Sequence, residues 1–132
     1  MSHLVDSHAF LWCALRPAGL SARVRELLGQ PGTRCAVSAV TFWELSLKHA
    51  IGKLKLTGVT PDEFPRVAER MHLAVLPLDG PTAATFHELP AADRRDPFDR
   101  LLVWQAIRAQ LILISKDSAL DAYAKSGLQR FW

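Results

Sequence analysis

Residues 96–117 read DPFDRLLVWQAIRAQLILISKD, and this stretch carries a helix, a strand and two functional acids in a set order. Asp96 followed by Pro97 is a helix start, with Asp as N-cap and proline at the first helical position, where its missing N–H is no loss. The helix runs to about Ala109, with Asp99, Val103 and Ile107 in one row at a spacing of four. Leu111 to Ile114 is an unbroken apolar run, the pattern of a strand covered on both faces. Asp117 follows just beyond it. A helix leading into a two-faced strand is the repeating unit of a parallel α/β sheet.

The same alternation continues outward. Upstream, residues 3–6 read as a first strand and Ala9 to Leu15 as a helix broken by Pro17 and Gly19. Ser21 caps a helix of about Ala22 to Leu28, and Pro31-Gly32 turns into a second strand, Cys35 to Ser38. A helix from about Thr41 to Ile51 stops at Gly52. Thr60-Pro61-Asp62-Glu63 is another start signal, for a helix reaching Met71 or His72. Leu73 to Leu78 is expected as the third strand, and Gly80-Pro81 opens a helix ending near Leu89-Pro90. Downstream, a short helix near Ala119 to Lys125 and a terminal strand, Leu128 to Trp132, close the chain. The pattern predicts a three-layer α/β/α fold with a largely parallel sheet of four or five strands.

At 132 residues with 49% apolar content, a single domain spanning 1–132 is expected. The net charge of +3 is compatible with a polyanionic partner but selects none. Cys13 and Cys35 belong to no metal-ligand spacing and read as buried free thiols in a reducing cytosol. No secretory signal or membrane-length apolar run is visible, so a cytoplasmic protein is expected. No phosphate-cradling glycine motif is present. The five histidines show no paired metal spacing and are read as unrelated to catalysis. Trp12, Trp43, Trp104 and Trp132 are read as core or interface aromatics.

Four acids stand beside strand ends: Asp6, Glu44, Asp99 and Asp117. If the strands are parallel, one rim of the sheet collects them. Clustered carboxylates repel unless a cation lies among them, which points to a divalent-metal site. Each acid also has a local explanation. Asp6 could cap a helix beginning near His8. Glu44 could pair with Lys48 at i, i+4. Asp99 could answer the helix macrodipole, and Asp117 could cap the helix near Ser118. Asp96 is assigned mainly to capping. Ser7 and Ser115 offer hydroxyls beside the acids. Mg²⁺ with carboxylate ligands suits phosphodiester hydrolysis, the ion activating water and stabilising the leaving oxygen. Lys48, Lys53, Lys55, Arg94, Arg95, Arg100 and Lys116 could hold the polyanion.

Leu4-Val5-Asp6-Ser7-His8 with Leu11-Trp12, Ser38 to Leu45 with Lys48 and Gly52-Lys53-Leu54, Asp96 to Leu102, and Ile114-Ser115-Lys116-Asp117 together resemble PIN-domain proteins. The likeness is greatest to the VapC-type ribonuclease toxins of bacterial type II toxin–antitoxin pairs. It runs nearly end to end, and Asp96-Pro97-Phe98-Asp99-Arg100 before an apolar helix is its most specific part. The resemblance implies a Mg²⁺- or Mn²⁺-dependent endoribonuclease acting on tRNA, rRNA or mRNA. It implies a homodimer silenced by a small cognate antitoxin whose tail covers the acidic pocket. The metal-binding acids fall on Asp6, Glu44, Asp99 and Asp117, with Ser7, Asp96 and Ser115 as accessory groups and Lys48, Lys53, Arg100 and Lys116 toward RNA. Ser7 replaces the more usual Thr and keeps its hydroxyl. Ala92-Asp93-Arg94-Arg95 stands where a His is common, and Trp104 where a small residue is usual. The alternative is a catalytically silent PIN-like module that binds RNA or protein. A haloacid-dehalogenase-like phosphatase would need a second Asp two residues after Asp6, where His8 stands. A receiver domain leaves Asp117 unexplained.

Overall fold

The computed structural model describes residues 1–91 and 96–132. Five strands form one sheet in the order β3-β2-β1-β4-β5, with every neighbouring pair parallel. They are β1 (His3–Val5), β2 (Cys35–Ser38), β3 (Ala74–Leu76), β4 (Ile112–Ile114) and β5 (Arg130–Phe131). The helices are α1 (Ser7–Leu15), α2 (Ala22–Gly29), α3 (Ala39–Ala50), α4 (Phe64–Arg70), α5 (Gly80–Ala84) and α6 (Pro97–Ala109). The expected three-layer α/β/α architecture is therefore present, and the described sheet is wholly parallel.

Side chains of a strand alternate between faces, and here both faces are apolar. Val5, Val37 and Ile114 join Phe10, Val24 and Phe64 in one core. Their neighbours Leu4, Ala36 and Leu113 join Val103, Ala106 and Tyr123 in the other. Covering both faces explains the unbroken apolar runs of β1, β2 and β4.

Several local signals act as the sequence predicts. The Asp96 carboxylate accepts the Phe98 N–H at 2.7 Å, and the Ser21 hydroxyl accepts the Val24 N–H at 3.1 Å. Gly52 takes a positive φ of 78° at the end of α3. Others need correction. The third strand is Ala74–Leu76, shorter than Leu73 to Leu78, and Ala74 and Val75 are exposed. As an edge strand with one neighbour it lacks the double cover that makes β4 a longer-looking run. The segment from Gly80 is α5 followed by a 3₁₀ turn, Phe86–Glu88. The stretch Ser118–Ser126 is 3₁₀ helix rather than α-helix.

From β1 the chain winds outward through β2 to β3, then crosses back to place β4 on the other side of β1. The crevice at the carboxyl ends of β1 and β4 is thus the switch point of the sheet, where open α/β folds bind ligands.

Candidate active site at the switch point

Asp6 is the first residue after β1, and its position does two jobs. Its Oδ1 accepts the Ala9 N–H at 2.8 Å, so it is the N-cap of α1. It is also 9% exposed at the mouth of the crevice. The capping explanation and the chemical one are therefore compatible. Burial raises its pKa; bonds from Ser115 and the Ala9 N–H and the nearby His8 oppose this, while the charge of Glu44 adds to it.

Asp99 sits in the first turn of α6, half-buried. Burial first, then repulsion from Asp96, Glu44 and Asp6, pushes it up to about 6. Asp96, Glu44 and Asp6 therefore stand close enough to Asp99 to act on it. A cavity of about 260 Å³ is lined by Asp6, His8, Asp99 and Asp117 with Leu102, Leu113 and Leu120. Asp117 is exposed and also caps the following 3₁₀ segment, its Oδ1 accepting the Ala119 N–H at 3.1 Å. The Ser115 hydroxyl, fully buried, accepts the Asp117 N–H at 3.2 Å.

Glu44 reaches the rim from α3 and is only 2% exposed. Its Oε1 accepts the Ser7 hydroxyl at 2.6 Å, and Ser7 in turn lies 3.1 Å from the Thr41 hydroxyl. Its Oε2 pairs with the Lys48 ammonium. The i, i+4 pair named as a local explanation for Glu44 is therefore formed, and Lys48 is tied to the acid rather than free for a polyanion. Burial works against the Lys48 ammonium, yet the bond to Glu44 and the charges of Glu44, Asp96 and Asp99 outweigh it and raise its pKa. An adjoining cavity of about 300 Å³ is lined by Ser7, His8, Glu44, Lys48 and Lys53 among others.

Of the other basic residues, Lys53, Lys55 and Lys116 are exposed. Arg100 is engaged elsewhere: its Nη2 donates to the Leu89 carbonyl at 3.0 Å, and its guanidinium lies 4.9 Å above the Phe86 ring. Arg94 and Arg95 lie outside the described residues.

His8 is the residue that sequence reasoning passed over. It lines both cavities and stands close enough to Asp6 and Asp99 to oppose the rise of both pKa values. The available signal was its place two residues after Asp6, in the first turn of a helix that starts at the rim.

The donor set suits a hard divalent cation, since it is carboxylates and hydroxyls without a thiolate. Burial first, and then the neighbouring carboxylates, disfavour the charged form of Asp99, and a cation placed among them would offset both. Among the described residues, no three His, Cys, Asp or Glu side chains stand in a finished ligand cluster. Glu44 meets Lys48 and Ser7 instead.

An acid-lined switch point in a parallel three-layer domain defines the class, and comparison with known proteins supplies the family. The PIN domain model matches residues 3–126; the chain belongs to the PIN domain family. No curated protein matches it. Similar solved structures include DNA-bound VapBC from Salmonella typhimurium, with TM-score 0.70, 16% identity, and 99% of this chain and 97% of that chain covered. VapBC2 from Rickettsia felis bound to a promoter DNA fragment gives TM-score 0.69 and 14% identity, covering 99% and 98%. FitAcB from Neisseria gonorrhoeae gives TM-score 0.64 and 21% identity, covering 98% and 96%. At these identities the likeness is one of fold. No helix among the described residues is long and apolar enough to cross a membrane.

Proposed function

We propose that this chain is a VapC-like toxin: a Mg²⁺- or Mn²⁺-dependent endoribonuclease that hydrolyses phosphodiester bonds in tRNA, rRNA or mRNA. The observation that carries the reading is the shared cavity of Asp6, Asp99 and Asp117, with Glu44 on the same rim and Asp99 raised to about 6. Asp6, Glu44, Asp99 and Asp117 would hold the ion, which would supply Lewis-acid charge and activate the attacking water. Ser7 orients Glu44, and Ser115 orients both Asp6 and the turn carrying Asp117. Asp96 fixes the start of α6 and hence the place of Asp99. Lys53 and Lys116, both exposed, serve the RNA backbone; Lys48 and Arg100 could do so only on leaving their present partners.

The similar solved structures are of VapBC and FitAcB, which supports a small antitoxin as the partner that silences the site. A single-domain protomer, a homodimer and a cytoplasmic location complete the reading. The test is cleavage of RNA by purified protein with Mg²⁺ or Mn²⁺, loss of cleavage with EDTA, and loss in Asp6→Asn and Asp99→Asn. Cleavage persisting in the Asp6→Asn, Asp99→Asn double variant would overturn it.

One observation favours a second reading. Lys48 already neutralises Glu44, as it would in a catalytically silent module that binds RNA or protein. Calorimetry detecting no Mn²⁺ binding to the wild type would favour that module.

A further inference from the structure

His8, in the lining of the acid-lined cavity, begins an aromatic row that the chemistry above does not use. His8 lies 6.0 Å from Trp12 between ring centres at 45°, and Trp12 lies 5.6 Å from Trp132 at 51°. The Lys116 ammonium is 5.8 Å above the Trp12 ring. At the far end, Arg23 stands 4.6 Å over Phe131 and donates from Nη1 to the Trp132 carbonyl at 3.1 Å. His8 and Lys116 are exposed, and both tryptophans are half-buried.

Trp12 and Trp132 pack at the margin of the core that holds Phe10 and Phe64, and both keep part of their surface open to solvent. Phe10 packs edge to face with Phe42 at 5.7 Å and with Phe64 at 5.5 Å, and Phe10 and Phe64 are sealed. Trp12 instead rests on the backbone of Gly19, where a Cβ would come within 2.5 Å of the indole. The glycine gives the indole a close seat, and the row ends in an imidazole open to water. The row also adjoins the acids. His8 lines the cavity of Asp6, Asp99 and Asp117, and Lys116 precedes Asp117 in the chain. Because β5 lies beyond β4 in the sheet, Trp132 extends the same rim outward.

We infer that His8, Trp12 and Trp132, with Lys116 and Arg23 beside them, form a nucleotide-stacking subsite for single-stranded RNA next to the scissile phosphate. The inference rests on the ribonuclease reading. Single-stranded nucleic acid is held by aromatic faces for the bases and cations for the phosphates, and this row supplies both. Because His8 lines the cavity of Asp6, Asp99 and Asp117, a base lying on it would sit beside the carboxylates. Lys116 and Arg23 give the strip the sign that the acids lack.

The test uses Asp99→Asn protein, so that RNA survives, with fluorescent oligoadenylate and the same ribose-phosphate chain lacking bases. His8→Ala should weaken oligoadenylate binding roughly tenfold, within the range for losing one base stack. His8→Phe should restore it, because a benzene ring stacks but carries no proton. The chain without bases should be indifferent to His8→Ala yet weakened by Lys116→Ala. In the protein with Asp99 intact, His8→Ala should raise KM, and His8→Phe should bring KM back to the wild-type value. His8 is exposed, so these variants should fold. Unchanged oligoadenylate binding by His8→Ala, beside wild-type protein that cleaves RNA, overturns the subsite and leaves the nuclease reading standing. A fall in kcat without a change in KM overturns it too, since the imidazole would then act in the chemistry. Wild-type protein that neither binds nor cleaves RNA removes both.

Discussion

The two ends of the parallel sheet make a useful contrast. At the amino ends, a cavity of about 550 Å³ is lined by Cys13, Cys35, Leu20, Leu28, Met71 and Leu73 among others. At the carboxyl ends, the acid-lined cavity is about 260 Å³. The larger hollow holds the two thiols, and burial with the neighbouring Cys35 pushes Cys13 up to about 11, away from reactivity. The smaller one gathers carboxylates whose charges oppose each other. Volume is a poor guide to chemistry here; what matters is which ends of the strands the loops bring together, and parallel strands all place their carboxyl ends on one side.

The largest effect should separate the two ends directly. Asp99→Asn should lower RNA cleavage by more than about 100-fold, above the range for losing an outer-shell partner of a metal ligand. Cys13→Ala should leave the rate within about twofold, as a half-buried thiol of raised pKa takes no part in such chemistry. Gel-based cleavage rates on folded proteins check both, and a dead but folded Cys13→Ala would break the contrast.

A smaller effect concerns stability of the acid end. Lys48→Met removes the ammonium facing buried Glu44, which should destabilise the metal-free protein by about 2 kcal/mol. Saturating Mn²⁺ should restore much of this in thermal melts, because a cation again meets the carboxylate. Equal loss with and without Mn²⁺ would show that Glu44 does not face a metal site.

The pH dependence sharpens the same point. Asp99 is raised to about 6 in the fold, against roughly 4 in an unfolded chain. Its charged form is therefore disfavoured by folding, and the penalty is fully present above pH 6. The penalty fades as pH falls through 6 toward 4. The contribution of Asp99 should make the metal-free protein gain thermal stability from pH 7 to about 5, and bound Mg²⁺ or Mn²⁺ should remove that gain. Melts across this range with and without the ion measure it.

The smallest effect is at the thiol end. With Cys13 raised to about 11, its reaction with a disulfide reagent at pH 7.5 should be at least about tenfold slower in folded protein than in urea. Equal rates would show that the thiol cavity is as open and reactive as an unfolded chain.

Much of this arrangement was legible from the residues. Asp96-Pro97 starts α6 because capping and a fixed proline φ are local effects, and the run Leu111 to Ile114 marks a strand sealed on both faces. Asp6, Glu44, Asp99 and Asp117 were readable as a group because each stands where a parallel strand or its following helix meets the rim. The third strand is shorter than the sequence predicts because Leu73 to Leu78 is apolar enough for a covered strand, and only its place at the sheet edge exposes Val75. Trp12 and Trp132 do pack against the core, as their residue type suggests, but no spacing along the chain brings residue 12 beside residue 132 or shows that His8 lines the acid-lined cavity.

By itself the sequence determined what depends on near neighbours: helix starts, strand character, and the chemical types waiting at each strand end. The fold decided what depends on distance through space. It joined Glu44 to Lys48 and Ser7, buried Asp99 beside Asp96, Glu44 and Asp6 so that its pKa rises to about 6, and set the C-terminal tryptophan against the first helix. The physical reason is range. Capping and periodicity act over a few residues of chain, whereas burial and charge repulsion act over a few ångströms and take no account of separation along the chain.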